Sequence, residues 1–456
     1  MTRYATVNPA TGETIEEFDT MTDEDAHQAL TDSEEAYAGW KNTHLKERST
    51  MLNQVAARYR QNSEDLAQLM TLEMGKPVSQ ARIEIELAAS IFEYYAVKGP
   101  DLLEDEELDI AGAGSAIVRT APIGPLLGVM PWNFPHYQVA RFVAPNLLLG
   151  NTILLKHSGS CPQQALRIAE MISETGAPTG VYQNIFASNE QIAEIIADPR
   201  LRGVSLTGSE RAGSIIGGLA GKYMKKAVLE LGGSDPFLVL ADADVDAAVA
   251  AGVPARFGNA GQTCTSSKRF IVEDRVYDEF VEKFVAQTSA WVMDDPTDDT
   301  TRLGPMASVS ARDDLAEQVQ DAVSKGATVR AGGMVPDGNG AYYPATILTD
   351  LDPSMRAYRE ELFGPVAMVH RVGSVDEAID LANDSPFGLG SAVFTQDDDQ
   401  ASYVADRLDV GMVGLNTTVK SAPDLPFGGV KSSGIGRELG RFGLDEFSNK
   451  KLIRIV

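Results

Sequence analysis

Gly261-Gln262-Thr263-Cys264-Thr265-Ser266 carries one of only two cysteines in the chain, and a thiolate is the strongest nucleophile a side chain offers near neutral pH. A lone cysteine ordinarily packs as a small apolar residue. Here glycine, glutamine and threonine before it, then threonine and serine after it, describe a polar and flexible approach. Upstream, Val228-Leu229-Glu230-Leu231-Gly232-Gly233 sets one carboxylate in a short apolar run closed by two glycines. Such a group is either half of a buried ion pair or has a chemical task. Asn133, within Pro131-Trp132-Asn133-Phe134-Pro135, is a turn former or a donor of a side-chain amide.

Alternating helix and strand patterns must position these groups, which indicates an α/β protein. Residues 24–40 and 45–72 read as amphipathic helices, the second stopped by Gly75-Lys76-Pro77, and residues 83–98 as another. Residues 115–120 alternate as an exposed strand, and 124–130 form an apolar one. Strands over 152–156, 180–186 and 203–206 then interleave with helices over 162–175 and 192–196. The last strand feeds Thr207-Gly208-Ser209 and a helix carrying Gly213, a layout that turns backbone N–H groups toward a phosphate. The Gly208-to-Gly213 spacing lacks the middle glycine of the full dinucleotide fingerprint. Gly221-Lys222 is followed by Tyr223, so a Walker-type phosphate loop is unsupported.

At 456 residues the chain exceeds one core, and two or three domains are expected. No run of about 18 apolar residues is present, and Met1-Thr2-Arg3-Tyr4 lacks the basic-then-apolar layout of a signal peptide, so a soluble, cytoplasmic protein is expected. Two cysteines make no disulfide framework, and five scattered histidines make no metal cluster. A net charge of -26 argues against nucleic acid and anionic membrane as partners. The acid is spread, as in residues 101–107 and 397–399, which read as solvated faces. Lysine is scarce beside arginine, which suits an acidic, halophile-like surface.

Taken together, Pro131-Trp132-Asn133-Phe134-Pro135, Thr207-Gly208-Ser209, Glu230-Leu231-Gly232-Gly233, Gly261-Gln262-Thr263-Cys264, Glu361-Leu362-Phe363-Gly364-Pro365 and Pro426-Phe427-Gly428-Gly429-Val430-Lys431-Ser432-Ser433-Gly434 resemble the aldehyde dehydrogenase superfamily along nearly the whole chain. The resemblance is closest to its succinate-semialdehyde branch. It implies the α/β aldehyde dehydrogenase fold in three parts. A Rossmann-like cofactor domain takes 1–104 and 124–232, a catalytic domain 233–445, and a small β oligomerisation element 105–123 with 446–456. A homodimer or homotetramer is implied.

The resemblance also assigns roles. Cys264 attacks the aldehyde carbon, and Asn133 with the Cys264 backbone N–H stabilises the oxyanion. Hydride leaves for the nicotinamide, and Glu230 activates the water that hydrolyses the thioester. Glu230 also separates this chain from relatives that pass the acyl group to coenzyme A, and Ser266 stands where some relatives carry a second, regulatory cysteine. Trp132, Lys156, Ser158, Gly208, Ser209, Gly213, Leu231, Glu361 and Phe363 are expected at the cofactor. The family's adenosine-ribose glutamate is replaced in Lys156-His157-Ser158-Gly159, so NADP or NAD is accepted, with Lys156, His157 or Ser158 meeting the 2'-phosphate. Arg141 and the loop of Ser421 are expected to hold a substrate's distal carboxylate; the family's second arginine is missing at Gly258, with Arg256 nearby. Succinate, glutarate or 2-oxoglutarate semialdehyde fits, as does a broader aldehyde range. A cofactor-independent thiol esterase is the alternative from another class, and no histidine close to Cys264 in sequence favours it.

Overall fold

Apolar strands flanked by helices build two open, mainly parallel sheets in the computed structural model, which describes residues 4–456. Met1, Thr2 and Arg3, read above for a targeting signal, lie outside the described residues. The first sheet runs Gly434–Ile435, Lys226–Glu230, Gly203–Thr207, Pro125–Met130, Thr152–His157, Tyr182–Asn184, and only the first of these strands is antiparallel to its neighbour. Helices cover both faces, which explains why its central strands are nearly unbroken apolar runs. From Pro125–Met130 the chain adds strands outward to Tyr182–Asn184, then returns to lay Gly203–Thr207 on the other side. That reversal opens a crevice beyond the carboxyl ends of the two central strands, where an open α/β sheet takes a ligand. The loops holding Trp132-Asn133 and Thr207-Gly208-Ser209 leave from there.

The second sheet runs Thr328–Ala331, Thr346–Thr349, Val366–Val372, Ser267–Glu273, Asp235–Val239, Ala392–Phe394, Gly414–Leu415. Its two central strands, Asp235–Val239 and Ser267–Glu273, begin just after Gly233 and Cys264 respectively. The site therefore forms where the carboxyl edge of one sheet meets the amino edge of the other. Stacked rings of Phe237, Phe270, Phe280, Phe284 and Phe394 fix the second sheet against its helices. Ser448–Ile455, Ser115–Pro122 and Glu106–Leu108 form a separate antiparallel sheet, in register from Ser448 opposite Pro122 to Ile455 opposite Ser115.

The α/β class expected from sequence is borne out, with two mainly parallel sheets and a small separate antiparallel one. Three details were not anticipated. The helix expected over 45–72 is two, Leu45–Gln61 and Ser63–Met74, broken where Asn62 leaves helical geometry (φ -102°, ψ 15°) and its Nδ2 donates back to the Arg58 carbonyl at 2.8 Å. The N-terminal strand pair Tyr4–Val7 and Thr14–Phe18 was not anticipated. Gly434–Ile435, within the stretch expected as the catalytic domain, pairs with Glu230 and Leu229 at the edge of the first sheet. No helix among the described residues is long and apolar enough to cross a membrane.

Candidate active site

Cys264 is delivered by a strained turn. After the helix Val245–Phe257 the chain passes through Asn259 (φ 53°), Ala260 (φ 51°) and Gly261 (φ 70°), and left-handed backbone costs an L-residue roughly 1–2 kcal/mol. Arg256, fully buried, offsets this by donating to the carbonyls of Gly261 (3.3 Å), Leu362 (2.9 Å), Val366 (2.6 Å) and Gly364 and to Ser266 Oγ (2.6 Å). It thereby fastens the nucleophile turn to the 361–366 loop. Arg256 is a backbone clamp and does not line the cavity of Cys264, in keeping with its displacement from position 258. At Gly261 a Cβ would lie 2.3 Å from the Gly364 carbonyl oxygen. Only glycine permits that approach.

Asn133 is held from both ends. Its Nδ2 donates to the Gln262 carbonyl (3.1 Å), and its Oδ1 accepts from Gln138 Nε2 (3.2 Å). Its own carbonyl accepts from Lys76 Nζ (3.0 Å) and Asn259 Nδ2 (3.0 Å). One Nδ2 hydrogen is left over, and among the described residues the Cys264 amide donates to no backbone carbonyl. Two free donors beside a thiol are what an oxyanion site requires. Lys76 makes a buried ion pair with Glu84, whose Oε1 accepts from the amides of His136 (2.9 Å) and Tyr137 (3.2 Å). Sequence reading took Lys76 only as part of a helix stop; an isolated Gly-Lys-Pro gives no hint of a partner eight residues on.

Glu230 ends the strand Lys226–Glu230, is 2% exposed, and neither carboxylate oxygen has a hydrogen-bond partner. Burial holds its carboxyl well above the usual carboxylate range, Arg141 pulls it down, and Glu438 adds to the rise. An orphaned buried carboxyl calls for an explanation beyond packing, and a general base supplies one. The two glycines that follow explain their own presence: a Cβ on Gly232 would stand 2.5 Å from Glu361 Oε2, and one on Gly233 2.5 Å from the Cys264 carbonyl oxygen. Burial pushes the half-buried Cys264 thiol up to about 12, with Arg141 and Lys268 lowering it and Glu230 and Glu361 raising it. Burial thus disfavours the anion of both groups, and each gains its working form as pH rises. The expected pH profile of kcat/KM climbs about tenfold per pH unit on its acid limb. Iodoacetamide inactivation of Cys264 between pH 6 and 9 should follow the same climb, and a flat profile would contradict the burial argument.

Trp132, Asn133, Gly208, Ser209, Leu231, Cys264, Glu361 and Phe363 line one cavity of about 280 Å³, with Trp132 and Phe363 edge to face at 5.7 Å. Ser209 caps the helix Glu210–Lys222, its Oγ accepting from Ala212 N at 3.3 Å, so a positive helix end faces the cavity beside Gly208. A Cβ on Gly208 would have no neighbour closer than 3.7 Å, leaving backbone open to a pyrophosphate. Lys156 is the penultimate residue of the strand Thr152–His157, its Nζ 5.6 Å from the Tyr4 ring. Ser158 Oγ hydrogen-bonds Ser160 Oγ at 2.9 Å in the loop that follows. The cavity, the helix end and this loop fit a nicotinamide dinucleotide.

Several expected contacts are absent. Gly213 is buried, and a Cβ there would meet Leu231 Cδ1 at 2.5 Å, so it lets helix and strand close and does not line the cavity. His157 turns inward, Nε2 to the Pro135 carbonyl (3.0 Å) and Nδ1 accepting from Ser158 N (2.8 Å), and burial lowers it to about 4. It is neutral, and both ring nitrogens are engaged within the protein. Arg141 is 1% exposed and paired with Glu438, with Nη atoms donating to Tyr137 Oη (3.2 Å), Gln138 Oε1 (3.1 Å) and Thr207 Oγ1 (3.2 Å). Most of its fork is taken up by protein groups, which weighs against the expected role as a carboxylate clamp. Ser421 Oγ accepts from Tyr137 Oη at 2.7 Å, and Tyr137 was not singled out from sequence.

The aldehyde dehydrogenase family model matches residues 1–453. An NADP(+) succinate-semialdehyde dehydrogenase of Deinococcus radiodurans is 51% identical over 451 residues, covering 99% of this chain and 94% of that protein. One from Mycobacterium tuberculosis is 45% identical over 454 residues, covering 99% of each. The crystal structure of a succinic semialdehyde dehydrogenase from Streptococcus pyogenes in complex with NADP+ superposes with a TM-score of 0.97 at 41% identity, covering 99% of both chains.

Proposed function

The chain belongs to the aldehyde dehydrogenase family, and we propose that it oxidises succinate semialdehyde to succinate with NADP+ as the electron acceptor. The observation that carries the chemistry is the convergence of Cys264, the spare Asn133 amide hydrogen and Glu361 on one cavity, with an unpartnered Glu230 behind it. The Cys264 thiolate forms a C–S bond to the aldehyde carbon, and the carbonyl electrons move onto oxygen, where Asn133 Nδ2 and the Cys264 N–H receive them. Bound NADP+ supplies the hydride acceptor. Trp132, Leu231, Glu361 and Phe363 would hold its nicotinamide end, Gly208 and Ser209 its pyrophosphate, and Lys156 with Ser158 the 2'-phosphate, beside Gly159 in place of the family's glutamate. Glu230 then takes a proton from the water that splits the thioester. Free Cys161 and Cys264 suit a reducing, cytoplasmic setting. Leu452 (62% exposed) and Ile455 (59% exposed) on Ser448–Ile455 support a homodimer or homotetramer through that sheet.

The assay is absorbance at 340 nm with purified enzyme, succinate semialdehyde or butanal, and NADP+ or NAD+. Faster turnover of butanal than of the semialdehyde, or strong rejection of NADP+, overturns the assignment. Selection of the distal carboxylate is read here through Ser421, whose hydroxyl accepts from Tyr137 and keeps its own hydrogen to donate. Ser421→Ala should lower kcat/KM for succinate semialdehyde about 10- to 100-fold, the value of a hydrogen bond to a charged group, and leave butanal unchanged. Arg141→Leu should behave otherwise. It strands the buried Glu438, so stability falls by about 3–5 kcal/mol and both aldehydes lose activity together.

A further inference from the structure

Lys268 begins the strand Ser267–Glu273 and is 0% exposed. Its ammonium lies 2.9 Å from the Cys264 carbonyl oxygen, 3.0 Å from that of Thr263 and 3.0 Å from Glu361 Oε1. An ammonium has three protons, and three acceptors surround it. Two belong to the nucleophile turn and the third to a cavity-lining carboxylate from a different loop. Glu361 Oε1 also accepts a hydrogen bond from Gly233 N at 3.1 Å, whereas among the described residues no protein donor reaches Oε2, which lies against Gly232, where a Cβ would approach it to 2.5 Å. One carboxylate oxygen is pinned and the other is left for a ligand. A buried ammonium needs partners for all its protons, and here those partners join the backbone of the nucleophile to the carboxylate opposite.

We propose that Lys268 is a positioning residue that sets the nicotinamide ribose relative to Cys264, by fixing Glu361 Oε1 so that Oε2 faces the cofactor hydroxyls. The proposal rests on the reading above that Glu361 holds that ribose. Lys268 touches neither substrate nor cofactor and acts through Glu361 and the Cys264 carbonyl.

The test uses the full-length enzyme and measures NADP+ and NAD+ binding to it by fluorescence quenching, together with the primary isotope effect on C–H cleavage using succinate semialdehyde deuterated at the aldehyde carbon. In Lys268→Met both dissociation constants should rise about tenfold or more, the value of losing a charged hydrogen bond, and by the same factor, because the 2'-phosphate end is untouched. The isotope effect should exceed that of the unaltered enzyme, since a misplaced acceptor slows C–H cleavage. Glu361→Gln should weaken both cofactors as well, and the double variant should be no weaker than the worse single one, as expected when two residues act through one contact. If Lys268→Met does not fold, Lys268→Gln carries the same test, because it keeps N–H donors for the two carbonyls and removes the charge facing Glu361. Unchanged binding and isotope effect in a folded Lys268 variant, with Glu361→Gln weakened, overturns the role of Lys268. Unchanged binding in Glu361→Gln overturns the ribose reading and the proposal with it.

Discussion

Replacing Cys264 by alanine should remove aldehyde-dependent reduction of NADP+ by at least about 10⁴-fold while NADP+ still binds. Loss of a covalent nucleophile in an otherwise intact site costs about this much or more, because the oxyanion donors are left with no charge to receive. The fold should tolerate the change. Every contact that fixes the turn is made by backbone or by neighbours: Lys268 holds the Cys264 carbonyl, and Arg256 holds Gly261 and Ser266. The thiol is half-buried against the cavity, so alanine leaves a small space that water can fill. The decisive comparison is turnover at 340 nm against the NADP+ dissociation constant. Turnover above about one part in a hundred of the unaltered enzyme contradicts covalent catalysis. Ester hydrolysis by the same variant should also vanish, since the rival thiol esterase reading uses the same sulfur; what separates the two readings is whether NADP+ is reduced by the unaltered enzyme.

How much of this was legible in the sequence follows from what each residue does locally. Cys264, Glu230 and Asn133 stood out because each breaks the pattern around it: a thiol among small polar residues, a carboxylate in an apolar strand, an amide between aromatics and prolines. The strands 124–130, 152–156 and 203–206 could be read because parallel strands covered on both faces are apolar throughout. What could not be read depends on partners distant in sequence. Lys268 and Glu361 are 93 positions apart in the numbering, Arg141 and Glu438 further still, and nothing in either local pattern announces the pair. Arg141 was therefore read as a free fork when it is a paired one. Asn62 was missed for a different reason, since a single break in an otherwise continuous amphipathic stretch leaves the periodicity intact. His157 was misjudged because a loop histidine and an inward-turned one have the same sequence.

Glu230→Gln should divide the reaction in time. The substitution keeps shape and volume, and it removes a carboxyl that has no hydrogen-bond partner and is already disfavoured as an anion by burial, so little folding stability should be lost. An amide cannot take a proton from water. Thiol attack and C–H cleavage precede that step, so mixing enzyme, NADP+ and succinate semialdehyde should give a burst of about one equivalent of reduced cofactor per site. The following steady rate should fall about 10²- to 10⁴-fold, the usual contribution of a positioned general base. The sign of the pH effect supplies a second reading. In the unaltered enzyme the raised carboxyl of Glu230 loses its proton as pH rises, so hydrolysis should accelerate with pH; in the variant that dependence should disappear from the slow phase and persist in the burst, where the Cys264 thiol still titrates. Because Arg141 is felt by both groups, a variant that slowed burst and steady state equally would mean that Glu230 serves mainly to set the charge around Cys264, and the general-base role would have to be given up.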